Sequence, residues 1–188
     1  MSIYLYIIIT ILGLASYAVG VWQMLKNKYS PSTFSRVIWV LLSINSLAGV
    51  ILSNSGKSAI LLSGIILIGS SAIAIVSFWK GTKTIGKLEY FCMSLLLISG
   101  VIWILFNVPL INLIISLFAH FVGGLPTYKK IWINPKSENI IFWLLFFLAS
   151  LLSVFVTDFN ALKNVIVPIY FTLFDGSMLF LSLRKKKN

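Results

Sequence analysis

Acidic and metal-ligating side chains are scarce in this sequence. The 188 residues include only four Asp and Glu residues together, one His and one Cys. A zinc site needs three or four ligands drawn from His, Cys and carboxylates, and a single cysteine forms neither an internal disulfide nor a thiolate cluster. We therefore expect no metal centre and no disulfide framework.

Signatures of enzyme chemistry are also missing. The sequence has no Walker-type phosphate-binding motif, and no serine stands in a clear nucleophile arrangement with the single histidine and a carboxylate. A retinal Schiff base would need a lysine in the middle of the last apolar run, whereas Lys163 stands at its outer end. The sequence predicts a protein that is not an enzyme and has no cofactor.

Apolar residues dominate instead. They make up 59% of the chain, charged residues make up 10%, and the mean hydropathy is +1.01. Because soluble domains carry about 25% charged residues, the composition predicts an integral membrane protein. The net charge of +11 does not indicate a nucleic-acid partner, since the basic residues cluster in short connections between apolar runs, as membrane topology requires.

The chain divides into seven apolar runs separated by brief polar breaks. A helix needs about 20 apolar residues to cross the hydrocarbon core, and no run shows the alternation of a barrel strand. We therefore predict an all-α protein with seven transmembrane helices in contact with the lipid bilayer. The runs are 3–25, 34–52, 59–79, 88–106, 109–128, 139–157 and 162–183.

The basic residues predict the orientation. Of the 15 Lys and Arg residues, all but Lys57 and Lys163 lie in the connections after runs one, three, five and seven. By the positive-inside rule, the N-terminus is outside and the C-terminus is cytoplasmic. We expect a multi-pass protein of the bacterial plasma membrane whose cytoplasmic face contacts anionic lipids.

A degenerate repeat relates the two halves of the chain at an offset of 104 residues. It predicts a first three-helix repeat over residues 1–80, a linker helix within 81–107, and a second three-helix repeat with a basic tail over 108–188. A single linker helix gives both units the same orientation, so we expect parallel bundles in a 3+1+3 arrangement. The matched pairs include Gly20 and Gly124, Lys26 and Lys130, Pro31 and Pro135, Trp39 and Trp143, Ser46 and Ser150, and Lys80 and Arg184.

Polar and small residues recur at helical spacing in four of the runs. Inside a membrane such residues face protein or a water-filled cavity, so a shared phase predicts a cleft lined by both units. The alternative is close packing of helices through small residues and Ser or Thr. The clearest stripe is Asn112, Ser116, His120, Gly124 and Thr127 in run five, and runs two and six carry Trp39 and Ser46, and Trp143 and Ser150.

Asp175 is the one carboxylate deep within an apolar run. A charge at that depth costs about 3 kcal/mol on insertion scales, and such residues mark ion or substrate paths. We interpret it as a proton or cation site; the alternative is a protonated structural Asp. His120 could bind solute, relay a proton to Asp175 or form an interhelical hydrogen bond. Trp39 and Trp143 are either cleft walls or interfacial anchors.

Short motifs at the ends of runs one and five resemble those of the SWEET and PQ-loop transporter superfamily. Where members carry Pro-Gln, this chain has Trp22-Gln23 in the first unit and Pro126-Thr127 in the second. The basic stretch Tyr128-Lys129-Lys130 follows the second copy, as in PQ-loop proteins. The resemblance implies a central site that opens alternately to either side, with Gln23 and Pro126 at bending points.

The solute class departs from the sugar carriers of that superfamily. Sugar-carrying SWEETs use asparagines on helices three and seven, whereas this chain offers Ser70, Ser71 and Asp175 there. The resemblance to proton-coupled PQ-loop carriers, which use membrane-embedded aspartates, fits Asp175 better.

The sequence thus predicts a secondary transporter or facilitator of a small polar solute, such as an amino acid, a sugar or a vitamin-like compound. The alternative is a receptor or scaffold that binds without transport. Either function is compatible with an oligomer. The predicted solute-binding residues are Trp39, Ser46, His120, Trp143, Ser150 and Asp175, with Asp175 and His120 as the proton or cation site.

Overall fold

The computed structural model describes residues 3–83 and 85–185. Lys186 and Lys187, which belong to the predicted basic tail, lie outside the described residues. Within the described ranges the chain forms seven α-helices and one short 3-10 helix, and no strand. The α-helices are α1 (Ile3–Leu25), α2 (Thr33–Leu52), α3 (Lys57–Lys80), α4 (Lys87–Phe106), α5 (Pro109–Ile133), α6 (Ile140–Phe155) and α7 (Leu162–Leu183).

Six of these helices are long and apolar enough to cross a membrane. The exception is α6, an apolar helix of 16 residues, which is shorter than the ~20 residues of a typical span. The structure thus confirms the predicted all-helical fold, and the six long apolar helices support a multi-pass membrane protein.

Asparagines mark several helix ends. Asn27, Asn54 and Asn107 adopt positive φ angles of 55°, 51° and 51° within two residues of the ends of α1, α2 and α4, a conformation that ends helices and that Asn tolerates. Asn139 begins α6, because its side chain accepts hydrogen bonds from the backbone amides of Ile141 and Phe142. These caps explain why short polar breaks suffice to separate the spans.

Helix α5 continues past its predicted end at residue 128. Pro126 lies inside the helix, where it removes one backbone donor, but the helix extends to Ile133. Its last turns are held by packing on α7: the Tyr128 hydroxyl bonds with Ser177, and Ile131 is fully buried. These contacts with neighbouring helices stabilise α5 beyond Pro126.

The packing of the helices follows a simple order. Helix α3 packs against both α1 and α2, and α7 packs against both α5 and α6. Across the bundle, α1 contacts α6 and α2 contacts α5, while α3 and α7 meet at the centre. Helix α4 packs on α5 and α2. We call the end with the α1–α2, α3–α4 and α5–α6 connections the basic end, and the other the opposite end.

Polar side chains tie α2, α4 and α5 together towards the opposite end. Asn45 and Asn112 exchange amide hydrogen bonds of 3.1 and 3.2 Å, and Asn45 also donates to Ser99 of α4 at 3.1 Å. Ser46 and Ser116 form a hydrogen bond of 2.8 Å. Asn112 and Ser116 of the α5 stripe therefore form packing contacts between helices. Only the part of the stripe nearer the basic end, which begins at His120, remains available to line a cavity.

Candidate functional site

A cavity of about 290 Å³ opens towards the basic end of the bundle. Its mouth lies between the α1–α2 and α5–α6 connections, which contribute Lys28 and Tyr29 on one side and Lys136 and Glu138 on the other. Below the mouth, its walls come from α1, α2 and α3 and from α5, α6 and α7. The lining includes Tyr17, Gln23, Arg36, Trp39, Ser70, His120, Phe142, Trp143, Phe146, Phe171, Phe174 and Asp175.

The opposite end of the bundle is closed by an apolar cluster. Residues from six helices fill it, among them Ile9, Leu62 and Leu113, each with 0% of its surface exposed. Phe146 and Phe171 belong to this cluster and also line the cavity. They form the floor, so the structure shows a site that is accessible from one end.

Asp175 lies in the cavity lining with only 2% of its surface exposed. The Ser150 side chain of α6 lies close to its carboxyl group, but the Ser150 hydroxyl donates to the Phe147 carbonyl at 3.0 Å. Its other polar contacts are missing: among the described residues, Oδ2 is buried without a hydrogen-bond partner, and no cation pairs with the carboxyl group. A buried acceptor of this kind is available to a ligand or a proton.

His120 is enclosed by aromatic rings. Its centroid is 4.5 Å from Trp39, 5.1 Å from Phe171 and 5.0 Å from Phe174. Its Nδ1 atom is 2.9 Å from the Tyr170 hydroxyl. The hydrogen-bond partner is thus Tyr170 of α7, and the predicted direct proton relay from His120 to Asp175 has no corresponding contact among the described residues.

The two repeat-related tryptophans both line the cavity. Trp143 is 5% exposed, and its Nε1 donor has no partner among the described residues. The Trp39 ring packs against His120 at an interplanar angle of 48°, and its centre lies 5.0 Å from the Arg36 guanidinium. Both residues therefore lie where cavity walls would lie, and a role as interfacial anchors stays a prediction.

Four side chains join the two halves of the molecule at the mouth. Arg36 donates to the Tyr29 hydroxyl, and the Lys130 ammonium lies 5.4 Å from the centre of the Tyr29 ring. Lys130 also pairs with Glu138 at 2.9 Å. Burial raises the pKa of Tyr29 to about 12 despite the nearby Arg36 cation, so the hydroxyl stays neutral at physiological pH and accepts from Arg36.

The predicted site residues separate into two groups. Trp39, His120, Trp143 and Asp175 line one cavity, and so does the predicted hinge residue Gln23. The other predicted residues, Ser46, Ser150 and Pro126, are not part of the cavity lining.

Ser150 is outside the lining because it is fully buried, with 0% exposure, and its hydroxyl donates to the Phe147 carbonyl. Ser46 is outside the lining because its hydroxyl bonds with Ser116. Pro126 is exposed on the outer surface of α5. Helical phase predicts that Ser46 lies on the inward face of α2 but does not show that another helix covers it.

Sequence reasoning misses several lining residues, among them Tyr17, Tyr29 and Arg36. In the sequence, Arg36 indicates only topology, while Tyr17 and Tyr29 are two among many aromatic residues. Ring contacts of Tyr17 with Phe142 and Phe146, at 5.8 and 5.3 Å, bring it into the wall. The spacing of Tyr17 and Gly20 on α1, in phase with Gln23, is the signal that could have found it.

No grouping of His, Cys, Asp and Glu in residues 3–83 and 85–185 is suited to a metal ion. In chemical terms the cavity offers an acceptor and a donor without partners among the described residues, Asp175 Oδ2 and Trp143 Nε1. No protein-family model matches the chain, and no curated protein sequence matches it.

Proposed function

We propose that this protein is a secondary transporter or facilitator of a small polar solute that works by alternating access. The observation that carries the proposal is the cavity, which opens at one end, is sealed by an apolar cluster at the other, and holds an unpaired carboxyl group near its floor. Its volume of about 290 Å³ is close to the ~300 Å³ lower bound of small-molecule pockets.

A 3+1+3 architecture of the SWEET and PQ-loop kind is part of the proposal. The packing of α3 against α1 and α2 has its counterpart in α7 against α5 and α6, and the contact of α1 with α6 corresponds to that of α5 with α2. Helix α4 has no counterpart and lies outside both units. The basic end would be cytoplasmic and the N-terminus outside, since basic residues concentrate at that end.

In this proposal Trp39, His120 and Trp143 shape the solute site, and Asp175 with Ser150 holds the proton or cation. Opening at the opposite end requires the apolar cluster to separate while the mouth closes. Pro126 and Gln23 lie near the basic end of α5 and α1, where small changes of helix angle would close the mouth. The basic end would also contact anionic lipids.

A receptor or scaffold is the second candidate, because a cavity open at one end fits a protein that binds without transport. Accessibility of Ser70 to a membrane-impermeant thiol reagent separates the two functions. Ser70 lines the cavity, and Cys92, the only native cysteine, is first replaced by serine. A transporter is expected to label at Ser70→Cys from both faces of the membrane, because each face is reached in one of its states.

Two control positions report sidedness in the same background. Ser30→Cys is exposed in the α1–α2 connection and Asn160→Cys is exposed in the α6–α7 connection, so each should label from one face only, and from opposite faces. Labelling of Ser70→Cys from the Ser30 face alone would refute alternating access and favour the receptor.

A further inference from the structure

We propose that the solute is a small zwitterion, whose oxyanion faces Arg36 near the mouth and whose ammonium group faces Asp175 near the floor. The inference rests on the proposed function only in taking this cavity as the solute site. It concerns which groups the cavity recognises, and it holds for a transporter or a receptor.

The first pole is Arg36. Its guanidinium group donates to the Tyr29 hydroxyl and lies against the rings of Trp39 and Tyr29, at 5.0 and 5.6 Å. Its Nε atom is buried and has no partner among the described residues, and no carboxylate of the described chain pairs with it. The rings hold the guanidinium in place, and its free donor is suited to a carboxylate or another oxyanion.

The second pole is Asp175 together with Trp143. Asp175 Oδ2 is buried without a partner in the described part of the chain, and both residues line the cavity. The rings of Phe174 and Trp143 pack against each other at 6.3 Å. A carboxylate bordered by aromatic rings provides an ion pair and cation–π contacts for an ammonium group.

Unpartnered polar atoms concentrate in this cavity. Across residues 3–83 and 85–185, seven buried side-chain nitrogen and oxygen atoms lack a partner. Since an unpaired buried polar group costs free energy, proteins keep few of them without a reason. The ones that belong to cavity-lining residues are Arg36 Nε, Ser137 Oγ, Trp143 Nε1 and Asp175 Oδ2.

The charges decide the class of solute. Arg36 and Asp175 line the same cavity but do not pair with each other. A neutral sugar would compensate neither group, a cation alone would leave Arg36 unpaired, and an anion alone would leave Asp175 to be neutralised by a proton. A zwitterion compensates both, and the exposed Lys28 and Lys136 at the mouth would attract its oxyanion first.

Protection of Arg36 from phenylglyoxal tests the proposal with a defined set of probe compounds. The chain has only two arginines, Arg36 and Arg184, and Arg184 lies outside the cavity lining, so it serves as an internal control in the same mass spectrum. The probes are glycine, β-alanine, γ-aminobutyrate and ε-aminohexanoate, which vary the spacing of the two charges. For each, the unsubstituted acid and the amine of the same chain length are the singly charged controls, and glucose is the neutral control.

At least one zwitterion is expected to protect Arg36, but not Arg184, at a concentration about tenfold below that of its singly charged analogues, since a second compensated charge is worth at least that factor. In Asp175→Asn the zwitterion should protect no better than the acid alone. Asp158→Asn, in the exposed α6–α7 connection, should behave as wild type. Thermal unfolding of the same samples gives a second reading that needs no labelling, because bound ligand raises the midpoint.

Equal protection by the acid and by every zwitterion would overturn the role of Asp175, and equal protection by the amine would overturn the role of Arg36. Preferential binding of glucose, or no binding in either reading, would overturn the proposal. The experiment uses detergent-solubilised protein and needs no transport. If no zwitterion protects Arg36 but Ser70→Cys labels from both faces, the protein is a transporter of another solute. If a zwitterion protects Arg36 but Ser70→Cys labels from one face only, the protein is a zwitterion receptor.

Discussion

Asp175→Asn is expected to abolish the response of solute flux to a pH gradient. Asparagine has nearly the shape of aspartate but does not take up a proton, so the position would lose its exchangeable proton with little change in packing. The measurement is the ratio of solute uptake into liposomes with and without an imposed pH gradient. In the variant this ratio should fall to unity, and total uptake should also fall because the ammonium pole is weakened.

Asp158→Asn is the matched control, since it removes an exposed carboxylate outside the cavity and should leave the ratio unchanged. If Asp175→Asn kept the wild-type ratio at reduced uptake, Asp175 would be a solute contact without a proton role. A variant that resembled wild type in both quantities would exclude Asp175 from the site altogether.

Gly69→Ala is expected to disrupt the cavity wall. A Cβ atom at Gly69 would lie 2.0 Å from the Tyr17 ring, so the ring would have to move towards the cavity that it lines. Overpacking of this kind costs about 1–3 kcal/mol. The thermal unfolding midpoint should fall, and protection of Arg36 by the zwitterion probes should be lost.

Gly64→Ala, on the same helix, is the control, because its Cβ would meet no atom within 4 Å. It should keep both the midpoint and the protection. Tyr17→Ala combined with Gly69→Ala should destabilise by less than the sum of the single changes, since the first removes the ring that the second displaces. A Gly69→Ala protein that equalled Gly64→Ala in both readings would contradict the tight contact between α1 and α3.

The helices could be predicted from sequence because the bilayer imposes both their length and their composition. Every predicted run overlaps a helix of the structure, and the largest error is at the end of α5. There the sequence pattern ends at Tyr128, while Tyr128 and Ile131 pack on neighbouring elements and extend the helix. Packing of that kind cannot be deduced from hydropathy.

The site could be predicted only in part. Trp39, His120, Trp143 and Asp175 were found because a polar or amphipathic residue deep in a membrane helix must face the protein interior. Ser46 met the same criterion and yet lies against Ser116, because helical phase specifies a direction and not the neighbour that lies there. Arg36 lies close to the helix end, so its part in the cavity depends on how the two halves pack.

Solute flux through the wild-type protein in liposomes tests the central claim most directly. The panel comprises the zwitterion series, glucose and a vitamin-like compound, and protein-free liposomes provide the background. We predict uptake above background of at least one solute, and the same solute should protect Arg36. A protein that binds a member of the panel but moves none, or neither binds nor moves any, would contradict the transporter assignment.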